Sequence, residues 1–97
     1  MNTYMALITA YKKYYGYANV KFINGQLILT FSRGVRPTFK KKINLESIHD
    51  CIKKVDLYGA RRISFMFNNN QYVFFENGNG IIDYLSKNFK FKMAIKR

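Results

Sequence analysis

The chain has 97 residues, with 17 Lys and Arg against five Asp and Glu, and a formal charge of +12. Apolar residues make up 48% and aromatics 18%, which excludes a disordered basic tail, and the single Cys excludes an intramolecular disulfide. The length supports one domain, residues 1–97, and excludes a multidomain enzyme.

Residues 3–15 read two ways. Tyr4, Leu7, Ile8, Tyr11 and Tyr15 fall at helical spacing, with Thr3 as a cap and Gly16 as a stop. Met5, Leu7, Thr9 and Tyr11 also alternate as in a strand. Asn24-Gly25 predicts a tight hairpin, because both central positions of a type I′ turn need positive φ. That turn sets Ile23 opposite Gln26, Phe22 opposite Leu27, Val20 opposite Leu29 and Ala18 opposite Phe31. Residues 33–37 read as a loop and Thr38 to Leu45 as a strand, with Phe39, Lys41, Ile43 and Leu45 on one side. Leu45, Ile48, Ile52 and Val55 have a helical period, yet a strand from about Cys51 to Leu57 would join the flanking hairpins. A second hairpin spans residues 62–76, with a turn at Asn69-Asn70 that pairs Phe67 with Tyr72 and Phe65 with Phe74. Ile81, Ile82, Leu85 and Phe89 form one apolar helical stripe behind an Asn79 cap, with Asp83 in the first turn. Residues 92–97 read as a frayed basic tail.

Several residues carry a resemblance: Tyr15-Gly16-Tyr17, Leu27 to Phe31, and Ile43 to Ile48. Ile52, Val55, Gly59, Ile63, Asn70 to Phe75 and Leu85 continue it in spacing. Residues 14–90, about four-fifths of the chain, thereby resemble a bacterial PH-like domain. More narrowly they resemble the small ManO-type regulators encoded beside mannose phosphotransferase operons in Firmicutes. The resemblance implies a mainly β fold: seven or so antiparallel strands in two near-orthogonal sheets, plugged by a C-terminal helix. It also implies regulation or docking without catalysis. The alternative fold is α+β, with a middle helix at residues 45–58.

Chemistry is sparsely supplied. His49 is the only histidine, and with Asp50 it forms the one candidate acid–base pair. Cys51 reads as a core filler, no Gly-rich phosphate loop occurs, and no cofactor or metal is implied. No basic segment precedes the first short apolar run, and no stretch approaches the roughly 18 apolar residues of a membrane span. The expected location is cytoplasmic.

The charge is uneven. Residues 1–45 hold eight basic side chains and no acid, and residues 84–97 hold five and no acid. A polyanion surface is expected on Arg33, Arg36, Lys40, Lys41 and Lys42 and on Lys53, Lys54, Arg61 and Arg62. Lys90, Lys92, Lys96 and Arg97 form a third cluster. Tyr11, Tyr14 and Tyr15, with Tyr17 beside them, lie near Lys12 and Lys13 and are candidates for base stacking. A solvated strand face, or lysines blunting a sheet edge, accounts for Lys40 and Lys42 without any ligand. The expected function is a PH-like module docking on a protein or an anionic surface; the alternative is nucleic-acid binding. A PH-type head-group pocket is disfavoured if the Asn24-Gly25 turn joins the first two strands. The oligomeric state is not legible.

Overall fold

The computed structural model describes residues 2–33, 36–55, 57–78 and 80–89. Seven antiparallel strands curl into a half-barrel, with one helix near the C-terminus. The strands are β1 (Asn2–Ile8), β2 (Lys13–Ile23), β3 (Gln26–Arg33), β4 (Arg36–Asn44), β5 (His49–Val55), β6 (Arg61–Phe67) and β7 (Asn70–Phe75). The helix α1 is Ile81–Phe89. The sheet order is β4-β3-β2-β1-β7-β6-β5. Pairing of β1 with β7 makes one continuous sheet where the resemblance implied two.

The first predicted hairpin is present as read. Asn24 and Gly25 adopt φ of 51° and 75°, and Val20 pairs with Leu29 and Ala18 with Phe31. This hairpin joins β2 to β3, however, whereas residues 9–12 join β1 to β2. The premise against a head-group pocket therefore fails, because the two-residue turn lies one hairpin further on.

Residues 3–15 form strand, loop and strand, not a helix. Central placement of β1 decides this. Thr3, Met5 and Leu7 point into the core, and the Thr3 hydroxyl donates to the Phe75 carbonyl at 2.8 Å. The middle helix at 45–58 is also corrected. Leu45–Ser47 is a single 3-10 turn, Asp50 takes φ of 54°, and residues 49–55 are a strand. Of the residues in the helical period only Ile48 is buried, and Val55 is 60% exposed. The period is incidental, and pairing with β6 prevails.

The last hairpin turns at Asn68-Asn69, with φ of 50° and 65°, so Phe65 faces Tyr72 and Ile63 faces Phe74. The register moves by two from the predicted pairing, which leaves the inward face unchanged. β4 begins at Arg36, earlier than the predicted Thr38, and its pairing extends to Arg33 opposite Arg36. Pro37 is tolerated there because β4 is an edge strand.

The core lies inside the curl. Met5, Val20, Leu29, Phe31, Ile63, Phe65, Tyr72 and Phe74 are all buried, as is Cys51. Ile81, Ile82, Leu85 and Phe89 bury the apolar stripe of α1 against it. Phe89 packs edge-on to Phe22 of β2 at 5.3 Å and to Phe65 of β6 at 5.5 Å, so α1 closes the space between these strands. The Asn79 cap, the basic cluster from Lys90 to Arg97 and the frayed tail 92–97 lie outside the described residues.

Gly16 is a packing requirement in β2. A Cβ there would overlap the Ser32 carbonyl oxygen and lie 2.9 Å from the Phe31 ring. Gly16→Ala is expected to cost about 1–3 kcal/mol, as other overpacked cores do. A urea unfolding curve measures this, and an unchanged midpoint would contradict the close approach.

Candidate functional site

In a strand, neighbouring side chains point to opposite faces, so sequence clusters are divided by the pleat. Lys40 and Lys42 lie exposed on the outer face of β4, whereas Lys41 turns inward. The Lys41 ammonium donates to the Tyr72 hydroxyl at 3.4 Å and lies 5.7 Å from the Phe39 ring. Arg33 sits over the Tyr14 ring at 5.5 Å, and the Arg36 side chain lies outside the described part of the chain. β4 and β5 are the opposite edges of the hydrogen-bonded sheet, so the two predicted basic clusters are not neighbours along it.

The second cluster divides as well. Lys53 and Arg61 belong to the face that carries α1. Arg61 donates to Glu76 at 2.8 Å and to Asp83 at 3.0 Å. It thus ties β6 to the first turn of the helix. The Arg61 hydrogen bonds and then its charge, with a smaller contribution from Lys53, hold the Asp83 carboxyl below its ordinary 3.8. A carboxylate depressed in the fold stabilises it above the unfolded pKa, and that contribution disappears as pH falls through the folded value. Asp83→Asn is therefore expected to lower the melting temperature modestly at neutral pH and to converge on wild type as pH falls below about 4, which flattens the acid limb. A melting-temperature series against pH measures this, and an unchanged acid limb would contradict it.

Lys54 and Arg62 instead face outward, into a groove of about 290 Å³ on the outer side of the sheet. Cross-strand register arranges this outer face in rows. One row runs through Tyr17, Tyr4, Phe75, Arg62 and Lys54, each directly opposite the next. The adjacent row is Tyr15, Ala6, Val73, Ser64 and Ile52. Its small central residues form the trough. Lys13 stands at the far corner, opposite Ile8. The groove lining holds three cations and no carboxylate.

Four aromatic side chains gather at one end. Tyr4 stacks with Tyr15 at 6.3 Å and 15°, meets Tyr17 edge-on at 5.4 Å and touches Phe75 at 5.8 Å. Tyr4, Tyr15 and Tyr17 are 36%, 50% and 62% exposed. Of the predicted stacking residues, Tyr15 and Tyr17 belong here. Tyr14 points inward, is half-buried against the core and has Lys12 over its ring at 5.4 Å. Tyr11 stands alone at the tip of the β1–β2 loop, 98% exposed. Tyr4 and Phe75 were not anticipated. Their signal is an aromatic at the outward position of a strand whose neighbours point inward.

His49 and Asp50 contact each other at 3.1 Å, but both side chains are open to solvent, 62% and 69% exposed. Among the described residues no helix is long and apolar enough to cross a membrane. Comparison with models of protein families, with curated proteins and with solved structures finds no match.

Proposed function

We propose that the protein is a non-enzymatic, cytoplasmic binding module that holds an anionic partner on the outer face of its sheet. The observation that carries this reading is the acid-free groove, in which Lys13, Lys54 and Arg62 surround a trough beside exposed aromatic rings. Lysine and arginine so placed bind polyanions by releasing condensed counterions. The groove is open and broad, which suits an extended partner better than a single small head group. The seven-strand half-barrel and its closing helix support a PH-like regulatory module. The more specific role in sugar phosphotransferase regulation rests on the sequence resemblance alone.

Heparin chromatography tests the reading with two variants. The Lys13→Gln, Lys54→Gln, Arg62→Gln triple variant is expected to elute at markedly lower salt than wild type. The Lys40→Gln, Lys42→Gln double variant, altered on the β4 edge, is expected to elute near wild type. The reverse order would overturn the site assignment, and failure of wild type to bind even at low salt would overturn the function.

A further inference from the structure

We infer that the anionic partner is a single-stranded nucleic acid, whose bases stack on Tyr4, Tyr15 and Tyr17 while its phosphates meet Lys13, Lys54 and Arg62. The inference rests on the polyanion reading above and names the partner class for the same groove.

The first observation is the joint placement of rings and charge. A polyanion such as heparin needs only the cations. Tyr15 and Phe75 line the groove, and beside it Tyr4 contacts Tyr15, Tyr17 and Phe75, on three adjacent strands. Aromatic side chains on neighbouring strands are how sheet-type RNA-binding modules hold roughly two or three unstacked bases. Here the ring row continues directly into Arg62 and Lys54, so a strand crossing the sheet would pass from stacking to charge.

The second observation concerns exposure. Tyr15 and Tyr17 are 50% and 62% exposed, whereas Tyr72 on the inner face is fully buried. Each phenol ring offers a π-face that any base can cover. The small side chains of Ala6, Val73 and Ser64 leave depth beneath the ligand. Duplex DNA does not fit this design, because its base faces are already stacked. An acidic peptide would satisfy the cations and leave the rings unused.

Fluorescence anisotropy with three labelled probes tests the inference: a short oligothymidine, an abasic oligomer of equal length, and an acidic peptide. The chain has no Trp, so quenching of its tyrosine emission by the bases gives a second readout. Oligothymidine is expected to bind more tightly than the abasic oligomer and to quench tyrosine emission. Tyr17→Ala is expected to weaken oligothymidine by roughly tenfold, within the range seen for single base–aromatic stacks, and to leave abasic binding unchanged. Tyr17→Phe, which keeps the ring, is expected to bind as wild type. Equal affinity for oligothymidine and abasic oligomer, or preference for the peptide, would overturn the nucleic-acid inference and leave the polyanion reading standing. Absence of binding to all probes and to heparin would overturn both.

Discussion

Replacing Phe65 with alanine is expected to destabilise the fold by about 3–5 kcal/mol, the usual range for deleting a buried phenyl ring. Phe65 is fully buried and stacks on Tyr72 at 5.0 Å and 12°. It also meets Phe74 at 5.9 Å and Phe89 of α1 at 5.5 Å. Its removal opens a cavity where β6, β7 and the helix meet. The surrounding rings are held by β6 and β7 of the continuous sheet, which limits collapse into that space. Small domains have only about 5–15 kcal/mol of stability in total, so much of the margin would be lost. The melting temperature should fall by at least about 12 °C. Tyr17→Ala on the opposite face should shift it far less, because an exposed ring away from caps and turns contributes within about 0.5 kcal/mol. The pair of variants separates the two faces of one sheet: the inner aromatics fix stability, and the outer ones are available for a ligand. Equal losses in the two variants would contradict that division.

Neutralising Lys13, Lys54 and Arg62 together is expected to remove most of the salt dependence of polyanion binding. For single-stranded nucleic acid the log–log slope is about −0.7 for each phosphate neutralised, so three contacts give about −2. A fourfold rise in salt would then weaken wild type by roughly 20-fold. The triple glutamine variant should show a slope near zero over the same range. The Lys40→Gln, Lys42→Gln variant should keep the wild-type slope, because those side chains lie on β4, across the sheet from Lys54 on β5. If net charge alone drove binding, both variants would lose slope in proportion to the charges removed. Anisotropy titrations at several salt concentrations distinguish these outcomes.

The parts of the fold that were legible in sequence are those whose information is local. Asn24-Gly25 specifies its register because both residues must take positive φ, and they do. The apolar stripe of α1 is equally local, and its predicted residues are the buried ones. Residues 68–70 are three consecutive asparagines, each tolerant of the left-handed region, so the turn position was decided by the pairing of β6 with β7. The helical period at 45–55 gave way to an edge strand for the same reason. The site was less legible still. Its central row joins residues 17, 4, 75, 62 and 54, which only the β1–β7 pairing brings into line. Grouping charges by sequence proximity joined side chains that the pleat sends to opposite faces. Lys53 and Lys54 are one such pair, and Arg61 and Arg62 another.

The most direct test of the groove as the binding surface is a two-dimensional amide NMR titration with a short heparin oligosaccharide. The largest shifts are expected on outward residues of β1, β2, β6 and β7, among them Tyr4, Tyr17, Phe75 and Arg62. Shifts concentrated on Lys40 and Lys42 of β4, with the groove residues unmoved, would contradict the account.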